Sequence, residues 1–227
     1  MTTQDPNLSN PLLQEWGTPY ATPPFDLIRP EHYVPAFTAA IEMAREEVER
    51  IKHNPEAASF ENTIAALDRT GETLGRAAGL FFNLIECDAT PEMQEMANTI
   101  QPMVTQYYNE LYLDDTLFER VRQVYEHELD TLSGEDRMLL KLTYDAFESN
   151  GATLPADKKP LFQELSIRLS NLTLQFGQNA LAATNEWQLH VTDAARLQGI
   201  PEGDMEIAAQ KARDKKLEGY LFDLSHP

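Results

Sequence analysis

Apolar residues spaced three and four positions apart recur along most of this 227-residue chain. Such spacing places apolar side chains on one face of an α-helix, and that face then needs a neighbour to cover it. The pattern predicts a mostly all-α fold, a multi-helix bundle of long antiparallel helices. The first clear stripe consists of Phe37, Ile41, Ala44, Val48 and Ile51.

Helix start signals divide the pattern into separate helices. Thr90 is an N-cap residue followed by Pro91 at the first helical position. Asp114 can cap the next helix, and Ser133 begins a sequence that resembles a capping box. These signals predict helices from residue 90 to about 113, from 114 to about 125, and from 133 to about 147. Residues 149–151 end the last of them.

The longest helical signal runs from about Ala156 to Thr184. It carries two apolar seams, which suggests contact with neighbours on two sides, so we expect this to be the central helix. The seams are Phe162, Leu165, Leu169, Leu172 and Phe176, and Ile167, Leu174 and Leu181.

Three glycines lie one turn apart inside a predicted helix from Phe60 to Ile85: Gly71, Gly75 and Gly79. Each glycine costs a helix about 1 kcal/mol relative to alanine. Either a neighbouring backbone approaches closely there, or the glycines soften a kink.

The two ends of the chain differ from its helical middle. Six prolines within residues 1–30 exclude a helix and predict an extended N-terminal arm that docks through its apolar side chains. Residues 187–191 and 220–224 alternate like short strands, which could pair as a small two-stranded β element near the C-terminus. We therefore predict an arm over 1–30, a helical bundle over 31–185 and a small α/β extension over 186–227.

Charge and targeting signals limit the class of protein. With 18 basic against 37 acidic residues, the net charge of −19 would repel phosphate backbones. Cys87 is the only cysteine, so no internal disulfide can form, and we expect a buried or half-buried structural thiol. The start lacks a leader pattern, and no apolar stretch is long enough to cross a membrane. These features predict a cytoplasmic protein, but a removed signal would leave no trace, so export stays open.

Motifs that carry chemistry are missing from the sequence. The nearest approach to a His-Glu-x-x-His zinc helix is His127–Thr131, where threonine stands in place of the second histidine. For His32 we expect a capping or packing role. The clustered Tyr107, Tyr108 and Tyr112 could line a peptide channel, although their spacing is more typical of core or rim. We predict no catalytic, cofactor-binding or metal-ligating residue in this chain.

Five segments carry a family resemblance in their order and spacing. They are Pro23–Phe37, Ser59–Leu67, Asn150–Leu154, Phe176–Asn179 and Leu197–Pro201. Together they resemble the N-terminal part of a bacterial peptidyl-dipeptidase or oligopeptidase of the thimet-oligopeptidase zinc metallopeptidase family.

The resemblance implies a function for the parent protein. In that family two largely helical halves enclose a deep channel, and zinc in the later half supports the release of dipeptides from the C-terminus of short peptides. This chain would be the N-terminal, non-catalytic helical region that forms one wall of the channel. Zinc would belong to the full-length parent, with none bound by this chain. Its partners would be the missing C-terminal catalytic half and short peptide substrates, with no nucleic acid and no membrane.

The alternative is a free-standing acidic helical module for binding or scaffolding. The lack of a catalytic constellation and the two-seamed long helix motivate this reading. The two hypotheses differ in surface, because a fragment should expose apolar area that the missing half covers, whereas a free-standing module should not.

Overall fold

The computed structural model describes residues 10–224, and α-helices dominate it. Two short strands, β1 (Gln188–Val191) and β2 (Tyr220–Asp223), pair antiparallel. The predicted mostly all-α fold with a two-stranded β element near the C-terminus is confirmed. The helices are α1 (Tyr33–Lys52), α2 (Ala66–Asp68), α3 (Glu72–Cys87), α4 (Pro91–Tyr112), α5 (Asp115–Glu128), α6 (Gly134–Ser149), α7 (Lys159–Glu186) and α8 (Glu202–Asp214).

The chain divides into two compact units, and the division falls within α7 between residues 171 and 172. In the first unit α1 is the central helix and packs against α3, α4 and α5. Its predicted apolar stripe is buried along its whole length. Near the start of α1, the rings of Tyr33 and Phe37 lie 5.0 and 5.7 Å from that of Phe81 on α3.

The later half of α1 contributes to a second core cluster. Val48 and Ile51 pack there with residues of α5 and α6, including the fully buried Leu117 and Leu140. Burying an aliphatic side chain of this size stabilises a fold by about 1.5–3 kcal/mol. The core of the first unit therefore follows α1 from end to end.

The predicted helix boundaries at residues 90, 114 and 150 have clear physical causes. The Thr90 Oγ1 accepts the N–H of Met93 at 3.2 Å, and the Asp114 Oδ1 accepts that of Leu117 at 2.8 Å. At the end of α6, Gly151 has φ +91°, and Ala152 N–H donates to the carbonyl of residue 147 at 3.0 Å. With the 3.1 Å bond from Gly151 N–H to the carbonyl of residue 148, this is a Schellman C-cap.

The predicted continuous helix from residue 60 to 85 is wrong. A π-helix at Phe60–Ala65 leads into α2, and the chain then breaks at Gly71, whose φ of +73° only glycine adopts easily. A Cβ at Gly75 or Gly79 would meet no atom within 4 Å. No neighbouring backbone therefore approaches these two glycines, and Gly71 alone accounts for the change in direction.

Two burial predictions are also wrong. No residue of α7 is buried, although we expected it to be the central helix. Within the first unit α7 leaves Leu161, Leu165 and Leu169 exposed by 51, 52 and 66%. Cys87 is exposed at the last position of α3, where solvent rather than a core surrounds it.

The arm is described from residue 10 onwards, and residues 1–9 of the predicted arm lie outside the described part. Leu12 is fully buried and Ile28 nearly so, whereas Phe25 is 58% exposed. Arg76 of α3 lies over the Trp16 ring at 5.1 Å and donates from Nη2 to the carbonyl of Gln14 at 3.0 Å. The arm therefore docks through part of its apolar residues.

In the second unit, α8 packs against β2 and the two strands form one ladder. Val191, Ala212 and Leu221 are buried there. Gly219 has φ +89°, and a Cβ at this position would lie 2.5 Å from the carbonyl oxygen of Val191. The close approach of the two strands therefore requires glycine. The same unit exposes apolar side chains of α7, namely Leu172, Phe176 and Leu181.

Candidate functional site

A cleft of about 340 Å³ lies in the first unit, where α2, the start of α3, α4 and α6 come together. Its volume is at the lower end of the range for small-ligand pockets, about 300–1,000 Å³. The three tyrosines singled out in the sequence all line it, so the structure brings them together. Among the lining residues are Asp68, Tyr107, Tyr108, Tyr112, Leu142 and Phe147.

The aromatic side chains form a connected wall. The Tyr107 and Tyr108 ring centroids are 5.3 Å apart, and those of Tyr108 and Tyr112 are 6.3 Å apart and nearly parallel. Tyr112 meets Phe147 edge to face at 5.1 Å. Such contacts stabilise pairs by about 0.5–1.5 kcal/mol beyond area burial, so this wall should be stiff.

The tyrosines differ in exposure and hence in what they can do. Tyr107 is 4% exposed, and burial raises its pKa to about 12, with smaller contributions from Tyr108 and the carboxylate of Glu47. Burial also raises the pKa of Tyr112. Both phenols therefore stay neutral at physiological pH, which does not suit a general base. Tyr108 is 42% exposed, so its ring is open to a ligand.

Gly71 shapes one edge of the cleft. Its N–H donates to Oε2 of Glu47 at 2.8 Å, which fixes the turn between α2 and α3. A Cβ at this position would lie 3.6 Å from the Cβ of Ala44 and 3.9 Å from the Tyr107 hydroxyl, an ordinary contact. Glycine is therefore required there by its positive φ rather than by lack of space.

Asp68 is the charged residue that lines the cleft, and its side chain is exposed. The neighbouring Arg69 bonds instead to Oε1 of Glu61 at 3.0 Å. Among residues 10–224, no cation forms a salt bridge with Asp68. The cleft thus combines exposed aromatic and apolar surface with one uncompensated negative charge.

Sequence reasoning missed Asp68 and Leu142 as parts of this site. Neither lies near the tyrosines in the chain, and neither belongs to a recognisable motif. Only the folded arrangement, in which residues of α2, α4 and α6 line the same cleft, brings them together.

The histidines considered in the sequence have structural roles. The Nδ1 of His32 accepts the N–H of Arg29 at 3.0 Å, and its carbonyl accepts the side-chain amide of Asn10 at 2.8 Å. The expected capping role of His32 is confirmed. The Nδ1 of His127 lies 2.7 Å from the carbonyl of Gln123, within its own helix.

The segment Ser59–Leu67, which carries much of the family resemblance, serves the fold through Asn62. The Asn62 Oδ1 accepts the N–H of Ser59 at 3.0 Å, the Thr63 hydroxyl at 2.8 Å and Nη2 of Arg120 at 3.1 Å. Its Nδ2 donates to the carbonyl of Ala57 at 2.9 Å. One side chain therefore joins the start of the π-helix to α5.

Within the described range, 10–224, no group of three or more His, Cys, Asp or Glu side chains could hold a metal ion. Glu128, the acid of the nearest motif to a zinc helix, accepts the Phe60 N–H at 3.1 Å through Oε2. The described residues therefore do not fit a zinc site, and no hydrolytic step is assigned to them. The same range holds no helix long and apolar enough to span a membrane.

The described residues form a helical region with a tyrosine-lined cleft, and sequence comparisons find similarity to part of several peptidases. Dipeptidyl carboxypeptidase of Salmonella typhimurium (strain LT2) is 34% identical over 216 residues, which are 94% of this chain and 32% of that protein. Oligopeptidase A of Escherichia coli K12 is 34% identical over 221 residues, 97% of this chain and 32% of the relative. Probable cytosolic oligopeptidase A of Arabidopsis thaliana is 24% identical over 216 residues, 95% of this chain and 30% of that protein.

These relatives confirm the resemblance: the chain is a homologue of part of the dipeptidyl carboxypeptidases and oligopeptidases of the thimet-oligopeptidase group. It spans about a third of the length of the curated relatives that it matches. No protein-family model matches the chain.

Proposed function

We propose that this chain is the N-terminal, non-catalytic helical region of a zinc-dependent peptidyl-dipeptidase and forms one wall of its substrate channel. The observation that carries the proposal is the similarity to bacterial dipeptidyl carboxypeptidases, which covers nearly all of this chain but only about a third of theirs. In this view zinc and the hydrolytic groups belong to the remainder of the parent protein. The catalytic remainder and short peptides are then the partners.

The exposed apolar residues of α7 support this proposal. Leu161, Leu165 and Leu169 follow one another at intervals of four, so they lie along one side of the helix in the first unit. Exposed apolar side chains in such a row mark surfaces that another protein surface covers. The catalytic remainder of the parent is the partner that we propose for this row.

The decisive experiment is to express the complete coding region from which the chain comes and to assay it beside the 227-residue chain. We expect the complete product to release dipeptides from short peptides in a zinc-dependent manner, and the 227-residue chain to be inactive. Zinc-dependent hydrolysis by the 227-residue chain would overturn the proposal. A coding region that ends close to Pro227 would instead leave the free-standing binding module.

A second experiment tests the exposed row directly. The double substitution Leu165→Gln and Leu169→Gln should reduce the binding of a hydrophobic dye to the 227-residue chain by at least about twofold, because it removes two exposed apolar side chains. Ile207→Gln, at a position on α8 that is 53% exposed, serves as the control. Equal dye binding by the double variant and the control would remove this support.

A further inference from the structure

We propose that the tyrosine-lined cleft binds a basic side chain of a short peptide. This inference deepens the proposed function, on which it rests, because it names the class of peptide that the channel wall would select. The binding step needs neither zinc nor hydrolysis, so it can be tested on the 227-residue chain itself.

The wall of the cleft suits a long cationic side chain. An ammonium or guanidinium group over an exposed tyrosine face gains about 0.5–1 kcal/mol, and more where water is excluded. Tyr108 presents such a face at 42% exposure, and its near-parallel packing on Tyr112 holds the ring in place. Burial raises the pKa of Tyr112, so this phenol offers the cation no negative charge at physiological pH.

The remaining lining fits the methylene stem of a lysine or arginine. Leu142 is 58% exposed and Leu111 is half-buried, so apolar surface is available inside the cleft. Long basic side chains lay their stems along apolar surface and keep the charged end near water or a counter-charge. The cleft volume of about 340 Å³ has room for one such side chain rather than for a folded segment.

The charge distribution selects cationic over acidic peptides. Asp68 offers its carboxylate at the cleft, and Arg69 is already bonded to Glu61. The Gly71 N–H at the edge of the cleft donates to Oε2 of Glu47 at 2.8 Å, so a second carboxylate lies next to that edge. With a net charge of −19 the whole chain also attracts cationic ligands over distance.

The test uses acetyl-alanyl-arginyl-alanine amide, whose only charge is on the side chain, and its citrulline counterpart, which is neutral and nearly the same in shape. Titration calorimetry, together with NMR of the tyrosine rings, measures binding to the 227-residue chain at low salt. We expect the arginine peptide to bind at least about threefold more tightly than the citrulline peptide. Asp68→Asn should reduce that difference by about half or more, because the cation keeps its contact with the Tyr108 ring, whereas Tyr108→Ala should weaken binding of both peptides.

Asp130→Asn is the control for a general loss of negative charge, since the Asp130 side chain is 95% exposed, lies 3.5 Å from Arg137 and is not part of the cleft lining. Equal affinity for the two peptides, or an Asp130→Asn effect as large as that of Asp68→Asn, would overturn the proposal. Peptide binding seen by calorimetry without a change in the NMR chemical shifts of the Tyr108 ring would also overturn it. Far-UV circular dichroism and urea unfolding of Asp68→Asn separate lost binding from lost folding. If the arginine peptide binds as expected but the product of the complete coding region hydrolyses no peptide, the proposed function is wrong and the binding site stands.

Discussion

Replacing Asn62 by alanine should destabilise the first unit more than its half-buried position suggests. Three partly buried hydrogen bonds end on its Oδ1, from the Ser59 N–H, the Thr63 hydroxyl and Nη2 of Arg120. A hydrogen bond of this kind contributes about 1 kcal/mol net. The fourth bond, from Nδ2 to the carbonyl of Ala57, is exposed and adds little. The expected loss is therefore about 3 kcal/mol.

The consequence extends beyond Asn62 because Arg120 also holds the preceding loop. Its Nη1 donates to the carbonyls of Asn54 and Glu56 at 3.1 and 3.2 Å, while its buried Nε has no partner among the described residues. Without Asn62 the guanidinium would keep two of its three acceptor oxygens. Leaving the Arg120 Nη2 donor unpaired would cost about 1–3 kcal/mol, which agrees with the loss of about 3 kcal/mol expected for Asn62→Ala.

Urea unfolding followed by circular dichroism measures this loss as a lower midpoint at an unchanged slope. Asn62→Asp is the companion variant. It keeps an acceptor oxygen for the three donors and gains charge attraction to Arg120, which offsets the carboxylate oxygen placed beside the Ala57 carbonyl, so it should cost less than about 1 kcal/mol. Asn98→Ala, on the exposed side of α4, is the control and should change little. A loss below about 1 kcal/mol for Asn62→Ala would refute the role of this side chain as a junction.

Three further predictions concern backbone, charge and core. Gly219→Ala should destabilise the second unit by more than about 1 kcal/mol, because the new Cβ meets a carbonyl oxygen at positive φ. Gly79→Ala, where the new Cβ enters open space, should instead stabilise the chain by about 0.5–1 kcal/mol. Thermal unfolding of the two variants measures both effects. Burial raises the pKa of Tyr107 from 10.0 to about 12, so stability is retained below pH 10 and lost as the pH rises to 12, by up to about 2.7 kcal/mol. The Tyr107→Phe variant should lose less stability than the unsubstituted chain between pH 10 and 12. An equal loss in the two proteins would show that Tyr107 is not the group responsible. Leu117→Ala should cost about 2–5 kcal/mol in urea unfolding, since Leu117 is fully buried, and a loss below about 1 kcal/mol would exclude a close-packed site.

Local signals in the sequence predicted the side-chain caps at two of three helix starts, whereas Ser133 makes no side-chain cap bond at the start of α6. The caps at Thr90 and Asp114 are made by side chains three residues from the amides that they bind, so the sequence alone identifies them. The break at Gly71 could not be found in this way, because the same glycine is compatible with a helix interior or with positive φ, and its contact with Glu47 decides between them. Predicting the cleft would have required knowledge of contacts between residues far apart in the chain. Asp68 and the tyrosines line the same cleft only in the folded chain.

The long helix α7 shows what periodicity can and cannot predict, and it supplies a last test. A three-and-four repeat tells which side of a helix is apolar, but not whether the covering surface belongs to the same chain. For α1 the cover is α3, α4 and α5, whereas Leu169 on α7 stays 66% exposed. Leu169→Glu should therefore change the stability of the 227-residue chain by less than about 0.5 kcal/mol. In the complete parent that we propose, the same carboxylate would be buried without a partner and should cost several kcal/mol. Equal, small effects in both proteins would show that this side of α7 faces solvent in each, and the proposed cover over α7 would be wrong.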